Sequence, residues 1–158
     1  MGGAENERQA PHELLPSDVV ARVLYSKSRF SRERQRPKPN AFDPTPYTEL
    51  SVIHVTGLSD LTIWQIAKEN TMRDEQGRDT IHGRADVPVE QFLQHRLRAI
   101  RDNQGFDRHT SVVGWPTPDD ANERKERWKE ICLALSQSEQ VKLVLPVEPI
   151  RFQKPLDD

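Results

Sequence analysis

Two histidines each stand two residues before a hydroxyl, in His54-Val55-Thr56 and in His109-Thr110-Ser111. The first follows the apolar run Leu50 to Ile53 and the second precedes Val112 and Val113, so both motifs fall on expected strands. On a strand, positions two apart share a face, and each motif therefore sets an imidazole beside a hydroxyl. If both pairs faced one cleft, His54 and His109 would act as general base and general acid on a phosphodiester. Thr56 and Ser111 would then orient the rings or bind phosphate oxygens.

A second chemistry is electrostatic. Lys27, Arg29, Arg32, Arg34, Arg36 and Lys38 stand against Glu33 alone, a net of +5. The whole chain carries −2, so the remainder carries −7, a dipolar distribution that suits phosphates or an acidic protein surface. Tyr25, Phe30, Phe42 and Tyr47 lie nearby for stacking on bases, although a sequence pI of about 6.2 is far from that of a typical nucleic-acid-binding domain. A solvated loop is the plain alternative. A third candidate is His82-Gly83-Arg84-Ala85-Asp86, in which Arg84 and Asp86 share a strand face. Arg84 is then either half of an ion pair at a sheet edge, which is the favoured reading, or a clamp for an anionic ligand.

The paired histidine-hydroxyl motifs resemble those of the two-histidine phosphoesterases, over six residues. The resemblance implies metal-independent cleavage or cyclisation of a phosphodiester, with His54, Thr56, His109 and Ser111 as the catalytic set. No Gly-rich phosphate loop, Walker lysine, H-E-x-x-H, EF-hand loop or nucleophile elbow is present. His82 and His95 lack acidic or cysteine partners at zinc spacing, and a lone Cys132 excludes an internal disulfide framework, so neither a metal nor a cofactor is expected.

The elements that must position these residues follow from periodicity. Val19 to Tyr25 reads as a strand, with a helix opened by Ser17 or Asp18 as the alternative. Residues 26–48 read as one long basic, proline-rich loop. Leu50 to Val55 is a strand. Ser59 then caps a helix carrying Ile63, Ile66 and Ala67, which ends near Asn70. Thr80 to Asp86 is a short strand, and Pro88 opens a short helix to about His95. Leu97 to Arg101 and His109 to Trp115 are strands flanking the turn DNQGFD. From Pro118 to about Ser138, with Thr117 as cap, Trp128, Ile131, Cys132 and Leu135 recur at helical spacing, which makes Cys132 a small buried hydrophobe. Val141 to Val147 is the last strand.

Leu, Ile, Val and Phe make up about 23% of the 158 residues, just above the roughly 20% below which a packed core is not expected. The fold class is therefore α+β: a single domain over 14–148 with a mixed sheet and about three helices, flanked by tails at 1–13 and 149–158. No apolar run approaches the roughly 20 residues needed to cross a bilayer and no secretory h-region opens the chain, so a cytoplasmic protein away from membranes is expected. The pattern LYSKSRF, KPNAF, GRAD and RHTSVVGWP resembles small proteins of bacterial genomes and implies a bacterial setting without a mechanism. The leading reading is a non-enzymatic accessory module that docks on a larger protein or nucleoprotein through its basic loop. Nucleic acid is an alternative partner, and the alternatives in function are the phosphoesterase and a structural homo-oligomeric subunit.

Overall fold

The computed structural model describes residues 10–70 and 80–151. In chain order the strands and helices are β1 (His12–Glu13), β2 (Val19–Leu24), β3 (Phe30–Ser31), β4 (Arg36–Pro37), β5 (Leu50–His54) and α1 (Asp60–Asn70). They continue with β6 (Thr80–Ile81), β7 (Gly83–Pro88), α2 (Val89–Leu93), β8 (Arg98–Arg101), β9 (His109–Val113), α3 (Ala121–Gln137), β10 (Lys142–Val144) and β11 (Ile150–Arg151). Seven of the strands form one sheet in the order β1-β8-β9-β5-β2-β7-β10. The α+β class is as expected, but every ladder in this sheet is antiparallel rather than mixed. Its edge strands are only two and three residues long, which limits edge-to-edge pairing.

Alternation along the strands divides the core between the two faces. Val20, Leu24, Leu50, Val52, Ala85, Val87 and Val112 bury one face beneath α2 and α3, against Phe92, Trp128, Ile131, Cys132 and Leu135. Ala21, Val23, Ile53 and Val55 bury the other against Ile63 and Ala67 of α1 and Ile81 of β6. Full burial of each larger side chain contributes about 1.5–3 kcal/mol, so the two clusters hold helices on both faces of a sheet that neither could cover alone.

Local chemistry sets the ends. The Ser59 hydroxyl accepts from the Thr62 amide at 3.3 Å, the cap expected for α1. The start of α3 differs from expectation. Asp120 rather than Thr117 caps it, its Oδ1 accepting from Asn122 and Glu123 amides at 2.8 and 3.1 Å. A carboxylate there meets both orphan amides and the positive end of the helix dipole. Pro116 to Asp119 stay outside the helix, where Trp128 Nε1 donates to the Pro116 carbonyl at 2.6 Å. β9 stops at Val113 because Gly114 turns away at φ 95°, with the Arg96 carbonyl 3.0 Å from where a Cβ would sit.

Three segments are more ordered than their composition suggests. Within 26–48, Phe30, Ala41 and Phe42 are buried in the core, β3 and β4 form a small hairpin, and Pro39–Phe42 makes a 3-10 turn against α3. Residues expected to be a tail supply β1, whose pairing with β8 is followed at once by buried Leu14. At the other end, β11 pairs with β6. The single strand expected over Thr80 to Asp86 is divided at His82, with β6 leaving for that small second sheet.

Candidate functional sites

The register of the central ladder decides the histidine question. Ile53 of β5 lies opposite His109 of β9, so those two side chains share a face. His54, one residue on, points to the other face. The sheet therefore separates His54 from His109, and no single cleft contains both imidazoles. The paired-histidine phosphoesterase geometry is not formed, although each imidazole keeps to the same sheet face as its own hydroxyl, as the two-residue spacing requires.

His54 is fully engaged. Its Nδ1 accepts from Arg101 Nη1 at 3.1 Å, since a guanidinium only donates. The ring proton is thereby assigned to Nε2, which is shared between Asp18 Oδ1 at 3.2 Å and Thr56 Oγ1 at 3.1 Å. Thr56 gives its own proton to Asp18 at 2.9 Å and accepts from the Val19 amide at 2.9 Å. Burial pushes the His54 pKa below its ordinary value and the neighbouring Arg101 and Arg108 add to this, outweighing the upward pull of Asp18. Burial alone would raise the Asp18 carboxyl, but hydrogen bonds from the Leu15 amide, Thr56 and His54 hold it lower than usual. His54 and Thr56 are thus structural, pinning the entry to β2 onto the end of β5.

Buried Arg101 extends this network. Its Nε donates to Asn103 Oδ1 at 3.0 Å and its Nη2 to Asp107 Oδ1 at 2.8 Å, fixing the loop between β8 and β9. In that loop Asn103, Gly105 and Arg108 have φ of 52°, 85° and 82°. Glycine adopts such backbone freely, whereas at Asn103 and Arg108 it persists because the surroundings hold it. The loop delivers Asp102 to the opposite face, where His109 and Ser111 lie.

There, His109 Nδ1 donates to Asp102 Oδ1 and Ser111 Oγ donates to Asp102 Oδ2, both at 2.6 Å. Burial raises the Asp102 carboxyl, yet bonds from His109, Ser111 and the Gln104 amide, with the charge of His109, bring it below its ordinary value. An ionised Asp102 fixes the proton on Nδ1 and leaves Nε2 as an acceptor in the neutral ring. Phe106 meets the ring edge-on, with centroids 5.4 Å apart. Ser111 bonds to the carboxylate rather than to the imidazole, so this is an Asp-His dyad with a second ligand on the Asp and not a serine nucleophile beside its base.

His109 and Ser111 line a groove of about 1050 Å³. It opens where β2 and β5 part after two paired residues, Val20 with His54 and Ala21 with Ile53. Beyond that point Arg22 bridges the gap, donating to the Ala41 and Ser51 carbonyls at 3.0 Å each. Tyr25, Tyr47 and Phe106 supply aromatic wall, while Glu49, Glu69 and Gln104 supply polar rim. Sequence reasoning did not find Asp102 or Asp18. The available signal for Asp102 was its place at the start of the DNQGFD turn, across a hairpin from His109.

The basic segment presents a different surface. Arg29 Nη1 donates to the Asn40 carbonyl at 2.5 Å, and Arg36 Nη1 donates to the Gln137 carbonyl at 2.7 Å, capping the negative end of α3. Lys27, Arg32, Arg34 and Lys38 are exposed, and none has an ion-pair partner among the described residues. Arg34, Arg36 and Lys38 border a hollow of about 300 Å³ with Pro39 and half-exposed Leu133. Lys27 and Arg32 lie close enough to His82 to add to the effect of burial in lowering its pKa.

Arg84 does not belong to that surface. It is 1% exposed, donates from Nε to Asp86 Oδ1 at 2.9 Å and from Nη2 to Asp60, and stacks 4.6 Å from the Trp64 ring centroid. The Arg84–Asp86 pair expected from the sequence is formed, on β7 between β2 and β10 rather than at a sheet edge. With two carboxylates and an aromatic face occupied, Arg84 fastens α1 to the sheet and is not available as a phosphate clamp.

Among the described residues no group of three or more His, Cys, Asp or Glu is placed to hold a metal ion, and no helix is long and apolar enough to cross a membrane. No family model matches the chain, and neither the curated proteins nor the solved structures yield a match.

Proposed function

We propose that the chain is a non-enzymatic docking module whose basic hairpin engages an acidic surface on a larger protein. The observation that carries this reading is the ordering of the cations. Lys27, Arg32, Arg34 and Lys38 project from a segment held by buried Phe30 and Phe42 and by the Arg36 cap on α3. A pre-organised cationic face loses less conformational freedom on association than a free loop does. The adjoining hollow, bordered by Pro39 and Leu133, favours a protein partner over nucleic acid, because phosphate contacts need no apolar neighbour.

The test is side-by-side capture from host lysate, before and after nuclease treatment, by the native chain and by Arg32→Glu/Arg34→Glu/Lys38→Glu. All three positions are exposed, so the variant should keep its fold. A stoichiometric protein retained by the native chain and lost from the variant is expected. Equal retention by both, or recovery of nucleic acid alone before nuclease treatment, overturns the reading.

A further inference from the structure

We propose that the groove between β2 and β5 is a binding site for a neutral nucleoside-like molecule, a planar base carrying a hydroxylated sugar, with a hydroxyl donating to His109 Nε2. This goes beyond the docking role and stands on a different part of the molecule.

Four observations converge. The first is the fixed tautomer. Asp102 accepts the hydrogen bond from Nδ1–H at 2.6 Å, and Nε2 has no hydrogen bond among the described residues, which leaves that nitrogen to accept from a ligand in the groove His109 lines. His109 is 13% exposed in its side chain, reachable yet largely shielded, where a hydrogen bond to a ligand competes less with water. The second is size. A groove of about 1050 Å³ matches the upper range of small-molecule sites and exceeds what a single ring and sugar need.

The third observation is composition. Tyr25, Tyr47 and Phe106 line the groove over a floor that includes Ala21, Val23 and Ile53, which suits the face of a planar ring. Gln104 on the lining is an amide able to both donate and accept toward ring edges. The fourth is charge. Arg22 and Arg29 are matched on the lining by Glu49 and Glu69, and the Asp102 carboxylate lies behind His109. That balance disfavours a polyphosphate and favours an uncharged ligand. Ser111 contributes by occupying the second oxygen of Asp102 at 2.6 Å, which keeps the carboxylate, and through it the imidazole, in one orientation.

The experiment is a titration of the full chain with adenosine, guanosine, cytidine and uridine, and with the matching monophosphates, followed by the imidazole Cε1–Hε1 resonances. The His109 signal is assigned by its loss in His109→Gln. Binding of at least one nucleoside, with the His109 signal shifting and the other imidazoles unmoved, is the expected result. Tyr47 is 60% exposed, so Tyr47→Ala should keep the fold and weaken that nucleoside roughly tenfold through lost stacking. Asp102→Asn should also weaken it, and Lys125→Ala, on the exposed face of α3 and outside the groove, should not. No shift of the His109 signal up to millimolar nucleoside overturns the proposal. So does tighter binding of the monophosphates, or unchanged affinity in both Tyr47→Ala and Asp102→Asn.

Discussion

Replacing His54 with alanine should destabilise the fold by about 2–4 kcal/mol, and the size follows from what each ring nitrogen does. Arg101 is 4% exposed in its side chain, and removing Nδ1 leaves one of its buried N–H groups without an acceptor. A lost hydrogen bond to a charged group costs about 1.5–3 kcal/mol. The Nε2 side contributes less, because Asp18 and Thr56 keep their mutual bond at 2.9 Å. The void left by the ring adds about 1 kcal/mol where the surroundings collapse only in part. For a chain of this length each kcal/mol lowers Tm by about 2–4 °C, so the variant should melt roughly 5–15 °C lower by circular dichroism. His109→Ala should cost less, about 1–2 kcal/mol, because Asp102 is 25% exposed and retains Ser111 and the Gln104 amide. A His54→Ala variant melting within about 1 °C of the native chain would refute the structural role assigned to His54.

Stability to urea should fall as pH drops from 7 toward 5. His54, His82 and His95 all have folded pKa values below the ordinary 6.5, chiefly through burial, so the unfolded chain takes up protons first. Asp18 and Asp102 act in the same sense at lower pH, their stabilisation being complete above about 3.8 and lost as pH falls through their lowered folded values. A urea midpoint that is flat or rises on acidification from 7 to 5 would contradict this. Arg84→Met should destabilise by about 2–4 kcal/mol, below the top of the range for broken buried pairs because Asp60 is 74% exposed and can rehydrate. Asp60→Asn, tested by the same melt, should cost under about 1 kcal/mol. Cys132, whose thiol burial pushes up to about 12, should resist iodoacetamide at pH 8 in the native chain and react within minutes in urea.

How much of this was legible in the sequence depended on whether the signal was local. Ser59 opening α1 and the Trp128, Ile131, Cys132 and Leu135 stripe of α3 are properties of one segment, and they appear where periodicity places them. The hairpin of β3 and β4 was hidden because its turn uses Gln35 at φ 53°, a position where glycine or asparagine is the usual marker. The start of α3 was displaced three residues because Asp120 outcompetes Thr117 for the orphan amides. The histidine motifs show the sharper limit. Their two-residue spacing puts His54 with Thr56, which bond to each other, and His109 with Ser111, which instead meet on the Asp102 carboxylate. Which face each pair occupies depends on Ile53 lying opposite His109, a register between strands more than fifty residues apart in the chain. The partners Asp18, Arg101 and Asp102 are likewise brought in by the sheet, and turn-like or charged surroundings disguised them.

Docking requires Arg32, Arg34 and Lys38 to meet carboxylates, and the affinity for the captured partner as a function of salt reads that contact directly. The native chain should bind more weakly as salt rises from about 50 to about 200 mM, and the triple glutamate variant should bind at least roughly tenfold more weakly at the lower salt with a shallower salt dependence. Equal affinities and equal salt slopes for the two chains would contradict that contact, and would remove the basic hairpin from the interface.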